Sequence, residues 1–300
     1  MWPAARDLYL SCVEEDPDYA PAWARLGRIQ HVIGKYLSSG TPDDLVRAEA
    51  AFRRALDLNP DLAMTHKLLA QLEVDLGRAH EAMARLIERT HVADPELLAG
   101  LVSACRYCGL LDASVAAHER AVELDPKIRT SVVHTWFLQG DYARAATAKF
   151  TDAPYVVAVS LQALGRGETA LPVLRDLESK NTTRMREFMA AARTLIEGNA
   201  AESIAAIGRL VDSGFRDPEG LYYLSRHLAH LGEAKGAFDL FSRVVAGGFF
   251  CFPAMARDPW LDPLREDGGF KALLGQAESQ HRAALVTFER SGKGRLAGNA

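Results

Sequence analysis

The sequence is poor in the features that mark several large protein classes. Its 300 residues include four cysteines, at positions 12, 105, 108 and 251, too few and too scattered for the disulfide framework of a small secreted domain. The longest uncharged stretches, such as Val244–Ala256, fall short of the roughly 18 apolar residues that a membrane-spanning helix needs. The N-terminus lacks the basic and apolar segments of a signal peptide. These absences predict a soluble, cytoplasmic chain without a membrane span.

Basic residues are not in excess either. Lysine and arginine number 35 against 39 aspartate and glutamate residues, so the formal net charge is -4 at pH 7. A protein that binds nucleic acid usually carries a basic patch or stripe, and the composition therefore disfavours direct nucleic-acid binding. Hydrophobic residues make up 48% of the chain, which is enough to build a sizeable core.

Motifs that hold a metal or a redox centre are incomplete. Cys105-x-x-Cys108 lacks a second pair of ligands, and His227-x-x-His230 lacks an obvious third ligand. Zinc sites in proteins need three or four such groups. We therefore predict packing and plain polar roles for these residues, with no metal bound.

Motifs of catalysis and cofactor binding are also weak. The chain has no Gly-x-Ser-x-Gly motif and none of the kinase sequence elements. Gly165-x-Gly167-x-x-Ala170 matches a loose dinucleotide fingerprint, but the fingerprint needs a βαβ unit that the sequence does not show. We predict no catalytic residue and no cofactor, and a chain that is not an enzyme.

What the sequence does contain is a repeat. Apolar helical stretches end at glycines 77, 109, 140, 165, 198 and 232, whose successive spacings are 32, 31, 25, 33 and 34 residues. Five residues after each glycine comes an alanine or a serine. Glycine ends a helix in the left-handed conformation that other residues resist, and a small side chain lets two helices cross closely. The pattern therefore predicts a series of helix hairpins.

A second set of positions follows the same period. Asp-Pro or Asn-Pro pairs, which cap a helix and begin its first turn, occur at 16–17, 59–60, 94–95, 125–126 and 217–218. Trp23-x-x-Leu26-Gly27 and the series Ala48, Phe52, Ala55 and Pro60 stand at the offsets of helix A and helix B of a tetratricopeptide repeat, whose period is about 34 residues. The sequence resembles this family from about residue 5 to residue 246. The resemblance implies an all-α, right-handed superhelical α-solenoid of helix hairpins, ending in a capping helix.

The repeat divides the chain into four parts. Residues 1–19 are predicted to be a partial repeat with helix B alone, and residues 20–246 about seven helix pairs. Residues 247–290 form a C-terminal capping region, and residues 291–300 a disordered tail.

The two ends predict a larger context. A first helix B without its helix A leaves an apolar face uncovered, so we expect either that the chain is the C-terminal part of a longer protein or that something else covers this face. The segment from Gly248 to Arg265 resembles the ends of bacterial tetratricopeptide proteins that carry an N-terminal Ser/Thr kinase, nucleotide cyclase or winged-helix domain. The resemblance implies the regulatory or docking half of a bacterial signalling protein, with a catalytic or DNA-binding domain upstream on the same polypeptide.

The predicted function is a protein–protein interaction or regulatory scaffold that binds a protein or peptide in its concave groove. The A helices of a solenoid line that groove, and nine side chains fall at groove-facing offsets. The mixture of basic, amide and aromatic groups suits charged or C-terminal peptide segments. The nine candidates are Arg28, Lys67, Gln71, Arg106, Tyr107, His134, Tyr222, Arg226 and His230.

Two other functions stay open at this stage. The solenoid could close around a small-molecule effector, with Tyr107, Tyr222 and His134 as pocket walls. It could also be an enzyme, such as a transferase embedded in helical repeats, although the missing motifs disfavour that alternative.

Overall fold

The structure is a computed structural model that describes residues 2–150 and 153–291. These residues form α-helices, two short 3₁₀ helices and connecting turns, without a β-strand, which confirms the predicted all-α class. The α-helices are α1 Trp2–Glu15, α2 Ala20–Tyr36, α3 Pro42–Leu58, α4 Ala63–Asp75, α5 Ala79–Arg89, α6 Pro95–Tyr107, α7 Leu111–Leu124, α8 Val132–Gln139, α9 Tyr142–Ala145, α10 Pro154–Ala163, α11 Leu171–Lys180, α12 Met185–Ile196, α13 Ala200–Asp212, α14 Pro218–His230, α15 Ala234–Ala246, α16 Phe252–Arg257 and α17 Gly268–Ser291.

From α2 to α15 the helices pack as consecutive pairs. In each pair the first helix is called helix A and the second helix B. Two pairs are irregular: helix α9 has four residues, and the 3₁₀ helix Gly167–Ala170 precedes α11. The mostly apolar residues 155–161, which precede Gly165, lie in helix α10 and not in a strand. No βαβ unit therefore surrounds the glycine motif.

The repeated glycines have the left-handed conformation, and the small residues the close packing, that their pattern predicts. All six glycines have φ between +71° and +86°, and the alanine or serine five positions after each is fully buried. The crossing of α2 and α3 shows the steric reason for small residues. A Cβ atom at Gly27 would lie 2.8 Å from the ring of Phe52, so any larger residue would force the helices apart.

Several later parts of the chain fold back onto the first three pairs. The Phe250 backbone N–H donates to the Tyr107 carbonyl oxygen at 2.9 Å, and the Arg184 N–H donates to the Tyr36 carbonyl oxygen at 2.9 Å. Helix α17 packs against α5, where His80 Nε2 lies 2.8 Å from Thr287 Oγ1. These contacts between early and late helices close the curve of the solenoid.

Helix α14 lies at the centre of this arrangement. Every residue from Pro218 to Ala229 is buried, as is every residue of α6 from Leu97 to Tyr107. A helix buried on all sides must pair its polar groups internally. The networks that do this are described below.

The two ends of the chain differ in how well they are covered. Val13 is the buried residue of α1, whereas Trp2, Leu8 and Leu10 are exposed. Apart from Ser291, the predicted tail lies outside the described residues. None of the helices in the described ranges has the length and apolar character needed to cross a membrane.

Candidate functional site

A buried ion pair joins α6 to α14. Arg106 donates from Nε to Glu219 Oε1 at 2.7 Å and from Nη2 to Oε2 at 2.9 Å, the bidentate geometry that gives strong charge-assisted hydrogen bonds. The Tyr223 hydroxyl also donates to Glu219 Oε1, at 2.8 Å. Burial opposes ionisation of Glu219, but Arg106 outweighs burial and lowers the pKa of the carboxyl group. The pair therefore stays charged within the core.

A second set of charges joins α2 and α4 to the start of α14. Lys35 Nζ lies 2.8 Å from Asp75 Oδ1 and 3.1 Å from Asp217 Oδ2, and the Tyr107 hydroxyl donates to Asp217 Oδ1 at 2.9 Å. The positive charge of Lys35 overcomes burial and lowers the pKa of Asp75 to about 2. Burial raises the pKa of Asp217. We call Lys35, Asp75, Asp217, Arg106 and Glu219 the closure network, because they connect the first three pairs to the last.

A third group fixes the segment after α16. Arg226 donates from Nη2 to Asp258 Oδ1 at 3.2 Å, and the Tyr222 hydroxyl donates to Asp258 Oδ2 at 2.9 Å. The Arg226 guanidinium also lies 4.0 Å from the centre of the Trp260 ring, within the range of a cation–π interaction. These contacts are structural and internal.

Four of the nine predicted groove residues are therefore corrected. Arg106, Tyr107, Tyr222 and Arg226 are at most 3% exposed, so they do not line an open surface. The start of α14 covers Arg106 and Tyr107 of α6, and the segment after α16 covers Tyr222 and Arg226 of α14. His230 is exposed and stacks on Trp260, with ring centres 4.1 Å apart.

The open part of the inner surface is a cleft of about 880 Å³ along α4, α6 and α8. Two predicted residues, Gln71 and His134, line it. Arg28 and Lys67 are half-buried beside it: Arg28 Nη1 lies 3.5 Å from Gln71 Oε1, and Lys67 pairs with Glu96. The structure thus brings four of the nine candidates to the region of the cleft.

Sequence reasoning missed the basic residues of the cleft. Lys127, Arg129 and Lys149 line it, and all three are exposed. No aspartate or glutamate lines the cleft among the residues that the structure describes. These side chains lie in connections beside α8 and not on A helices, so the groove-facing offsets did not include them.

His227, Cys105 and Cys108 lie in the core, whereas His230 is exposed. His227 Nδ1 is 3.1 Å from the Tyr155 hydroxyl, and His227 Nε2 is 3.0 Å from Ser203 Oγ. Burial raises the pKa values of the Cys105 and Cys108 thiols, which keeps both protonated. In residues 2–150 and 153–291, no three His, Cys, Asp or Glu side chains are grouped as a metal site requires.

Acid is expected to destabilise the fold through His227. Burial, with a further contribution from Arg226, lowers its pKa from 6.5 to about 3. Between these pH values the unfolded chain binds a proton that the folded chain does not. His227 should therefore contribute a fall of about 1.4 kcal/mol per pH unit to the free energy of unfolding below pH 6.5. His134, whose pKa burial lowers to about 4, adds to the slope in the same direction. Urea titrations at pH 7, 6 and 5 measure this slope.

The control for this prediction is His227→Gln, which keeps a neutral polar side chain at the position. We expect the variant to have a shallower pH dependence than the parent. The raised pKa of Asp217 acts in the opposite direction, since that folded group binds a proton more readily than in the unfolded chain, but both proteins share it. An unchanged slope in the variant would contradict the role given to His227.

Comparisons with known proteins give partial matches. No known protein-family profile matches the chain. Human protein O-mannosyl-transferase TMTC1 is 39% identical over 69 residues, which is 23% of this chain and 7% of that protein. The mouse protein is 38% identical over 81 residues, 27% of this chain and 8% of its own length. The chain thus spans less than a tenth of the length of these curated relatives.

Two solved structures also align with the chain. A tetratricopeptide repeat protein from Parabacteroides merdae covers 79% of this chain and 93% of its own, at 13% identity and a TM-score of 0.43. The P58(IPK) TPR domain covers 97% of this chain and 95% of its own, at 14% identity and a TM-score of 0.27.

The fold is shown by the repeat itself. Consecutive helices pack as pairs, each predicted turn glycine is left-handed, and the small residue five positions later is fully buried. Together with the Trp-x-x-Leu-Gly and Ala/Phe/Ala/Pro offsets, these features show an all-α solenoid of helix hairpins that resembles the tetratricopeptide repeat.

Proposed function

We propose that the chain is a protein-interaction scaffold whose cleft binds an extended acidic segment of a partner protein. The cleft's charge carries this proposal: Lys127 and Lys149 line it, and no carboxylate does among the described residues. Basic side chains around an open groove attract and orient acidic peptides, while Gln71 and His134 offer polar groups at its base. The volume of about 880 Å³ accommodates several side chains at once.

The experiment is a binding titration with a fluorescein-labelled peptide of alternating glutamate and alanine. Fluorescence anisotropy should rise with protein concentration, and the affinity should fall as salt is added, because screening weakens interactions between exposed charges. A lysine–alanine peptide of equal length is the matched negative control. Equal binding of the two peptides would contradict the proposal.

Charge reversal locates the binding to the cleft. The double variant Lys127→Glu/Lys149→Glu should bind the acidic peptide at least about tenfold more weakly, since both attractions become repulsions. Lys235→Glu/Lys271→Glu is the control with the same change in net charge: the two side chains are 90% and 57% exposed, and neither residue lines the cleft. Losses of equal size in the two proteins would show that net charge, not the cleft, governs binding.

The proposal extends to the context of the chain. We propose that an upstream catalytic or DNA-binding domain of a bacterial signalling protein lies on the same polypeptide and contacts α1. The exposed Trp2, Leu8 and Leu10 support this, because such a domain would cover them. The genomic reading frame before Met1 tests it: an open frame encoding such a domain is expected, and an in-frame stop codon directly upstream would contradict it.

Catalysis is not part of the proposal. The human and mouse relatives carry the name mannosyl-transferase, but the matched residues are 7% and 8% of those proteins. The charged side chains at the core of this chain are paired with one another, as in a structural network. Tyr107 and Tyr222 cannot form the walls of the predicted effector pocket, because both side chains are buried.

A further inference from the structure

A second, smaller cavity lies beside the closure network, between α8, α10, α12 and α14. Its volume is about 150 Å³, similar to that of cavities that hold a molecule of benzene's size. Its aromatic lining residues come from five different parts of the chain. They are Tyr36, Tyr155, Phe188, Phe215 and Tyr223.

Four of these rings, those of Tyr155, Phe188, Phe215 and Tyr223, form one connected wall. Phe188 packs edge-on against Tyr155 at 5.2 Å between ring centres and against Phe215 at 5.3 Å. Tyr223 stacks with Tyr155 at 5.9 Å. The faces of such rings carry partial negative charge, and groups of them bind organic cations, above all methylated ammonium groups.

The charges at the cavity have one sign. Asp217 and Glu219 line it, and neither lysine nor arginine lines it among the described residues. The cations that pair with these carboxylates, Lys35 and Arg106, are not part of the lining. A ligand in the cavity would therefore meet aromatic rings and carboxylates on the same side.

The surrounding closure network also has an excess of negative charge. It contains three carboxylates, Asp75, Asp217 and Glu219, against the two cations Lys35 and Arg106. The nearby histidines do not compensate, because burial lowers the pKa of His134 to about 4 and also lowers the pKa of His31.

Two observations indicate that the negative charge of the closure network is not fully balanced by cations. The arginines near this network have other surroundings: Arg28 is half-buried and contacts Gln71 on the side of the cleft, and Arg184 donates to the backbone carbonyl oxygens of Gly34 and Gly40. Arg216, which lies beside Lys35, Asp75 and Asp217, is exposed. The pKa of Asp217 is raised by burial, with Asp75 and Glu219 adding to the effect. A buried carboxylate that shares its counterion with a second carboxylate is stabilised by an additional cation.

We propose that this aromatic cavity binds an alkylated ammonium group, supplied by a free quaternary amine or by a methylated lysine of a partner protein. Tyr36, His134 and Met185 line the cavity and are half-buried, so the ligand enters between them. His134 also lines the large cleft, which places the two cavities side by side. The proposal does not depend on acidic peptides binding in the cleft.

Isothermal titration calorimetry with choline tests the charge requirement. Its neutral isostere, 3,3-dimethylbutan-1-ol, has the same shape without the positive charge. We expect choline to bind at least about tenfold more tightly than the isostere, since cation–π and carboxylate attractions act on choline alone. Potassium chloride at equal ionic strength should produce no binding heat.

Substitutions at the half-buried Met185 test the cavity with variants that are expected to fold. Met185→Lys places a cation of similar length at the half-buried entrance and should weaken choline binding at least about tenfold. Met185→Gln, which is neutral and equally long, should bind choline within about threefold of the parent. Circular dichroism at 222 nm confirms that both variants are helical.

The source of the ammonium group is distinguished by peptides. A short neutral peptide carrying one trimethyllysine should compete with choline if a partner protein supplies the group, whereas its unmodified lysine version should compete less. Choline binding without peptide competition assigns the cavity to a free amine. The proposal is overturned if neither choline nor the trimethyllysine peptide binds, if the neutral isostere binds equally well, or if Met185→Lys binds choline like the parent.

Discussion

Arg106→Met is expected to lower the free energy of unfolding by about 3–5 kcal/mol, the range measured when one partner of a buried ion pair is removed. Arg106 is 3% exposed and makes two short hydrogen bonds to Glu219. Removal of the guanidinium leaves a buried carboxylate whose remaining partners, such as the Tyr223 hydroxyl, are neutral. Urea unfolding followed by circular dichroism measures the change.

The double variant Arg106→Met/Glu219→Gln separates charge from packing. It removes both charges while keeping similar side-chain volumes, so we expect it to recover at least half of the stability lost in Arg106→Met. Arg53→Met is a control for a surface pair: its side chain is 66% exposed and pairs with Glu49 four residues earlier. That change should cost less than about 1 kcal/mol. Similar losses of stability in Arg106→Met and Arg53→Met would contradict the claim that the buried Arg106–Glu219 pair contributes more than a surface pair.

The second large effect is expected for Gly248→Ala. Gly248 has φ of +82° and lies against Gly77, so that a Cβ atom would be 2.7 Å from the Gly77 carbonyl oxygen. The left-handed conformation costs alanine about 1–2 kcal/mol, and the overlap with a rigid backbone adds about 1–3 kcal/mol. We expect a loss of about 3 kcal/mol in urea unfolding.

Gly232→Ala provides a closely matched control. Gly232 has φ of +86°, but nothing lies within 4 Å of the position that its Cβ would occupy. Its substitution should therefore cost about 1 kcal/mol, from backbone conformation alone. Equal losses at Gly232 and Gly248 would mean that the turn after α15 does not press against the turn after α4, and the closed arrangement of the repeats would be wrong.

Closure changes how a helical-repeat scaffold can work. In an open solenoid each repeat contacts its neighbours alone, and stability is a sum of local terms. Here Lys35 and Arg106 connect early repeats to α14, so the first three pairs and the last should unfold together. The same contacts leave a short cleft in place of a long groove, which limits the length of any bound peptide.

The candidate site was partly predictable. Gln71 and His134 stand at groove-facing offsets and line the cleft. Tyr222 and Arg226 follow the same offsets in α14 but are buried with Asp258, because the period of a helix specifies a face and not what covers it. Lys127 and Lys149 lie in connections whose position depends on the neighbouring helices, so no periodicity in the sequence indicates them.

The sequence by itself determined the helices, their pairing and their crossings, because each depends on local chemistry. A left-handed turn needs glycine, as at Gly109 and Gly198, and a close crossing needs a small residue. Only the tertiary packing places α14 inside the curve of the solenoid and brings Lys35, Asp75 and Asp217 together there. Those residues come from distant repeats, and the angle between successive pairs, which brings them together, is a sum of small packing differences that no single motif encodes.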